Sequence, residues 1–91
     1  MTATAASTSK TAIVTGAGTG IGKAAALALL ADGYKVVLAG RRAEPLQEVL
    51  ALANADSRAI AVPTDVAQVE SVQALFGAAV KAFGHIDVLF N

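Results

Sequence analysis

The chain has 91 residues, 55% of them hydrophobic and 15% charged, which allows one small domain and leaves little polar residue to coat it. Seven basic and seven acidic residues cancel, arguing against the basic stripe of a nucleic-acid binder and against a polybasic membrane patch. No cysteine is present, so a disulfide framework, a thiol nucleophile and Cys-ligated zinc are excluded.

Residues 1–9 (MTATAASTS) form a polar tail of small residues, without the apolar segment of a signal peptide or the arginine of a transit peptide. A flexible N-terminal tail is expected there, in a cytoplasmic protein. Thr11-Ala-Ile-Val-Thr15 is a compact apolar run that ends in glycine and predicts a buried strand. From Gly20 the spacing turns helical, with Ile21, Ala24, Ala25, Ala28 and Leu29 predicted to form the inward face. Asp32-Gly33 closes that helix. The longest uninterrupted apolar run, 24–31, falls far short of the roughly 20 residues of a membrane span.

A second strand is predicted over 35–39, apolar on both faces as a doubly covered parallel strand should be. Leu46, Val49, Leu50 and Ala53 give the next helix one face, with Pro45 in its first turn. A third strand follows over 59–62, closed by Pro63. The third helix carries Val69, Val72, Phe76, Ala79, Val80 and Phe83 on one stripe and stops at Gly84. A fourth strand is predicted over 86–90. The alternation β-α-β-α-β-α-β with short loops implies an α/β Rossmann-type doubly wound parallel sheet in the order 3-2-1-4, occupying residues 10–91. The reversal opens a crevice at the carboxyl ends of strands 1 and 4, where Thr15-Gly16 and Asn91 fall.

Thr15-Gly-Ala-Gly-Thr-Gly-Ile-Gly22 joins the first strand to the first helix. Gly16 permits a sharp turn off the strand, Gly20 keeps side-chain bulk away from backbone donors, and Gly22 lets the helix approach the sheet. The helix N-terminus offers unpaired N–H groups and about half a unit of positive charge to an anion such as a pyrophosphate. A tight turn without a ligand would also use glycines, but the strand–turn–helix setting is what a dinucleotide site requires. A nucleoside-triphosphate loop is excluded: Gly22-Lys23 is followed by Ala24, and Ala17 stands where that motif needs its first glycine.

The Thr-Gly-x-x-x-Gly-x-Gly run at 15–22 resembles the signature of the classical short-chain dehydrogenases/reductases. Asp65-Val66 after the third strand, Gly84-x-Ile-Asp-x-Leu before the fourth, and Asn91 in the place of the first Asn of Asn-Asn-Ala-Gly extend the resemblance over residues 10–91. It implies an oxidoreductase that interconverts alcohol and carbonyl by hydride transfer, with a small alcohol or carbonyl substrate, acting as a homo-oligomer when complete. Around the coenzyme it places Gly16, Thr19, Gly20, Ile21 and Gly22, then Arg41, then Asp65 and Val66 at the adenine ring, and Asn91. Asp65 has a second reading, as the cap of the third helix in a capping box with Gln68.

In such proteins the end of the second strand selects the coenzyme, a carboxylate there favouring NAD. This chain has Gly40, then Arg41 and Arg42, and a guanidinium fork suits a 2′-phosphate. NADP(H) is therefore expected over NAD(H). Thr19 counts the other way, since many NADP-preferring relatives carry a basic residue in the glycine loop, and two solvated loop charges would be the plain alternative.

The family's catalytic tyrosine and lysine stand four apart on one helix face, so that the lysine's charge favours the tyrosinate. Here Tyr34 is followed by Leu38, and the family's catalytic serine lies on a fifth strand. No catalytic role is carried onto any residue of this chain, which on its own is expected to turn over no substrate and to be unstable or associate. A non-catalytic dinucleotide-binding or interaction module is the alternative function. His85 reads as a solvated loop residue, Asp87 as a hydrogen-bonded structural group and Lys23 as a surface charge.

Overall fold

In the computed structural model, which describes residues 10–91, the elements run β1 (Thr11–Thr15), α1 (Gly20–Ala31), β2 (Lys35–Gly40), α2 (Ala43–Ala53), a 3-10 turn (Asp56–Arg58), β3 (Ala59–Pro63), α3 (Val69–Phe83) and β4 (Val88–Phe90). The tail expected over 1–9 lies outside the described residues. The four strands are parallel in the order β3-β2-β1-β4, as the alternation implied. In register, Thr15 pairs with Ala39, Gly40 with Pro63 and Val14 with Phe90. The carboxyl ends of β1 and β2 therefore stand level.

Alternation along each strand divides the core in two. Val14, Val36, Leu38 and Ala59 face one way, against Ala26 and Leu30 of α1 and Leu46 and Val49 of α2. Ile13, Val37 and Ala39 face the other way, against Leu75 and Ala79 of α3. Both sides of β2 are buried, which explains why Val36-Val-Leu-Ala39 has no polar position. Each fully buried Leu or Ile here contributes about 1.5–3 kcal/mol through area removed from water. Pro63 is accommodated because β3 is an edge strand, where a missing N–H costs no ladder bond.

Three expectations are corrected. The buried row of α1 is Gly22, Ala26 and Leu30; of the expected set, Leu29 packs half-buried against the core and Ala25 is half-buried, while Ala24 and Ala28 are exposed and Ile21 is 79% exposed. A helix of Ala, Leu, Ile and Gly is apolar nearly all round, so its periodicity carries little phase; the small residue at position 22 decides which side can come close. On α3 the buried row is Leu75 and Ala79, with Val72 and Phe83 half-buried, while Val69, Phe76 and Val80 are exposed. A single helix lies over this side of the sheet, and only one of its rows reaches the strands. Finally, β4 begins at Val88, not residue 86. Asp87 is bound to β1 through both its side chain and its backbone: Thr11 N–H donates to Asp87 Oδ2 at 2.8 Å, and Asp87 N–H donates to the Thr11 carbonyl at 2.8 Å.

The amino ends of the strands are tied down by such contacts. Arg58 Nη1 donates to the carbonyls of Leu30 (3.0 Å) and Tyr34 (3.1 Å), satisfying groups where α1 gives way to β2. His85 is an exposed loop residue, as expected, and beyond that reading its Nε2 lies 2.9 Å from Asp87 Oδ2, while Asp87 is the hydrogen-bonded structural group expected.

Candidate functional site

The first strand ends at Thr15, and the chain must turn at once to bring α1 back over the sheet. It does so through Gly16 at φ 64° and Gly20 at φ 58°, both in the left-handed region that residues with a Cβ seldom enter. An added Cβ at either position would meet nothing within 4 Å. The space in front of them is open, and their backbone conformation alone requires glycine.

Gly22 differs. A Cβ there would collide with the Gly16 carbonyl oxygen and lie 3.0 Å from the Thr15 carbonyl oxygen. Its absence seats the first turn of α1 directly on the end of β1. The hinge is further pinned by Ala17 N–H, which donates to the Ala39 carbonyl of β2 at 3.0 Å.

The start of α1 is left unanswered by side chains. Thr19 is the N-cap in extended conformation, yet its hydroxyl makes no capping bond, and the first turn holds no acidic residue. The first-turn N–H groups of a helix have no intrahelical partner, so donors and the positive end of the dipole face the open side of the hinge. These residues fit a pyrophosphate: the donors are aligned, the cradle is clear of side chains, and no carboxylate competes.

Two recesses meet at this end of the sheet. One of about 260 Å³ lies between the hinge and the start of α2, lined by Gly18, Thr19, Arg41, Arg42 and Pro45 among others. The second, of about 270 Å³, crosses the carboxyl ends of the strands and is lined by Thr15, Arg41, Thr64, Val66 and Asn91 among others. Gly16, Gly40 and Arg41 line both. Arg41 therefore stands where the recesses join, and among the described residues it has no ion pair. Arg42 lies 3.7 Å from Glu44, both side chains largely in solvent, a pair of little energetic weight.

Of the residues expected around a coenzyme, Gly16, Thr19, Arg41, Val66 and Asn91 line the recesses. Gly20 and Gly22 shape the hinge from behind. Ile21 projects into solvent and lines neither recess. Asp65 lines neither as well: its Oδ1 accepts the Ala67 N–H at 3.0 Å, and its own N–H donates to Ser71 Oγ at 2.8 Å. The capping box is not formed. Gln68 is the N-cap of α3 and makes no side-chain capping bond, because residues 66 and 67 turn before the helix begins and the Asp65 carboxylate reaches only two residues ahead.

Thr15 Oγ1 lies 3.1 Å from Asn91 Oδ1 and 3.3 Å from the Phe90 carbonyl, which ties β4 to β1 at the mouth of the crevice. Among the lining residues that escaped the sequence reading are Thr64, Gly18 and Pro45. Thr64 is buried, with its hydroxyl donated to the Val62 carbonyl at 2.8 Å. Gly18 and Pro45 face one another across the hinge. A polar residue directly after the Pro63 strand end was a signal for the first; nothing in the spacing pointed to the other two as a pair.

Residues 10–91 match the family model described as short chain dehydrogenase. The chain belongs to the short-chain dehydrogenase family. An uncharacterized oxidoreductase of Staphylococcus aureus (strain USA300) is 49% identical over 84 residues, covering 92% of this chain and 36% of the relative. A short-chain dehydrogenase/reductase from Burkholderia phymatum, solved in complex with NAD, is 38% identical with a TM-score of 0.85, over 90% of this chain and 30% of its own. The 3-ketoacyl-(acyl-carrier-protein) reductase from Brucella melitensis, solved with NADH, is 33% identical with a TM-score of 0.84, over 90% of this chain and 33% of its own. This short-chain dehydrogenase sequence thus spans about a third of the length of the relatives it matches. No helix among the described residues is long and apolar enough to cross a membrane.

Proposed function

We propose that this chain is the coenzyme-holding portion of an oxidoreductase that interconverts an alcohol and a carbonyl compound, with NADP(H) preferred over NAD(H). One observation carries the reading. A hinge with two left-handed glycines and open space before it delivers an uncapped helix N-terminus beside an arginine that has no anionic partner among the described residues. The solved relatives from Burkholderia phymatum and Brucella melitensis, holding NAD and NADH, support a nicotinamide dinucleotide as the ligand.

When bound, that coenzyme supplies the hydride donor or acceptor. The residues of this chain bind and orient it. The hinge amides and the start of α1 take the diphosphate, and Val66 borders the adenine end, with Asp65 holding the turn that carries Val66. Asn91 with Thr15 fixes the end of β4 beside β1. Arg41 takes a 2′-phosphate, and Gly40 brings no carboxylate to repel it. The residues expected to move the substrate's proton are not among these 91, so this portion alone turns over no substrate. The proposal keeps the cytoplasmic placement and the homo-oligomeric assembly expected of the complete polypeptide.

Calorimetric titration of the complete polypeptide tests it. NADPH is expected to bind more tightly than NADH, and Arg41→Ala to weaken NADPH about tenfold, the loss of one bond to a charged group. Equal affinities that Arg41→Ala leaves unchanged would overturn the NADP(H) preference. Failure to bind either coenzyme would overturn the whole reading.

A further inference from the structure

The geometry points to Pro45 as a positioning residue for the phosphate recess. It is the stop against which the glycine hinge seats, and it sets the gap between Thr19 and the Arg41–Arg42 pair. The clue is Gly18. Unlike Gly16 and Gly20, it does not have a positive φ, so no left-handed backbone calls for glycine there. What forbids a side chain there is room: an added Cβ would lie 2.6 Å from Pro45 Cβ and 3.6 Å from Pro45 Cγ and carbonyl carbon. The hinge thus holds two kinds of glycine, and the one at 18 is demanded by α2.

Pro45 cannot readily give way. Its ring fixes φ in the first turn of α2, and the next residue, Leu46, is fully buried. Leu46 Cδ2 would lie 3.2 Å from a Cβ at Gly40, the last residue of β2. The start of α2 is therefore seated on the strand end from which Arg41 and Arg42 depart. Through Gly18 and Pro45 the diphosphate-binding hinge is held at a fixed distance from the arginines, and Gly18, Pro45, Arg41 and Arg42 line the same recess of about 260 Å³ with Thr19. This inference rests on the reading that the recess receives the phosphate-bearing end of NADP(H).

The test uses the complete polypeptide and titrations with NADPH and NADH. Gly18→Ala pushes the hinge off its stop and is expected to weaken NADPH about tenfold and NADH about threefold, since a displacement of the order of an ångström between paired binding groups costs that much or more. Adding Pro45→Gly removes the opposing Cβ, lets the new methyl take its place, and restores NADPH to within about threefold of the starting protein. Adding Pro45→Ala keeps the Cβ and restores nothing. Pro45→Gly alone removes the stop and narrows the NADPH-over-NADH preference about threefold, which keeps the test open should Gly18→Ala not stay folded.

The inference is overturned if Gly18→Ala binds both coenzymes as before, or if both double variants behave alike. It is overturned equally if Gly18→Ala lowers the melting temperature and weakens both coenzymes by the same factor, or if Pro45→Gly leaves the preference unchanged. A starting protein that binds neither coenzyme defeats the underlying reading instead, an outcome visible before any variant is made.

Discussion

The two ends of the parallel sheet are finished in opposite ways. At the amino end, exposed backbone groups are answered by side chains of this chain: Arg58 takes the carbonyls of Leu30 and Tyr34, and Asp87 takes the Thr11 N–H while pairing with His85. At the carboxyl end, β1 runs into Gly16 and β2 ends at Gly40, the Thr19 hydroxyl makes no capping bond, and Arg41 has no ion-pair partner among the described residues. Satisfied polar groups hold a fold together, and unsatisfied ones aimed into a recess are what a ligand can use. The same sheet thus separates stability from binding along the strand direction, as open parallel sheets do.

That contrast makes substitutions at the two ends separable. The largest effect is expected from Gly22→Ala, where the new methyl meets the Gly16 carbonyl. Overpacking against backbone costs about 3 kcal/mol, so both the melting temperature and coenzyme affinity should fall together; a change in neither would show that α1 can back away from β1. Next comes Asp87→Ala, which leaves the Thr11 N–H without its acceptor. A loss of about 2 kcal/mol in denaturant unfolding is expected, with coenzyme affinity within about twofold of the starting protein. A large drop in affinity would mean that the two ends are coupled.

Arg41→Ala is expected to do the reverse. It lowers NADPH affinity about tenfold and leaves the unfolding midpoint in place, because Arg41 makes no ion pair among the described residues. The smallest effect belongs to Arg42→Ala. It removes only a solvent-facing pair with Glu44, worth about 0.5 kcal/mol or less, and comparison of its NADPH affinity with that of Arg41→Ala shows which arginine meets the phosphate.

Much of the binding end was legible in the sequence because it depends on backbone. A glycine run after Thr11-Ala-Ile-Val-Thr15 states its own geometry, and the apolar strands state the sheet. Side chains that act across distance were harder to read. The phase of α1 was lost because Ile21, Ala24 and Leu29 are as apolar as the Ala26 and Leu30 that are buried. The early start given to β4 counted Ile86 and Asp87 as ladder residues, when at Asp87 a carboxylate takes the Thr11 N–H in place of a backbone carbonyl. The pairing of Gly18 with Pro45 spans 27 positions, and no local pattern announces a glycine that is small for the sake of a distant ring.

Amide hydrogen exchange of the complete polypeptide, with and without NADPH, puts the central claim to its most direct test. Residues 16–23 should be protected on binding, as first-turn N–H groups of α1 acquire an anionic partner, while the Thr11–Asp87 end of the sheet exchanges as before. Binding that leaves 16–23 exchanging at the same rate, or no binding at all, would contradict it.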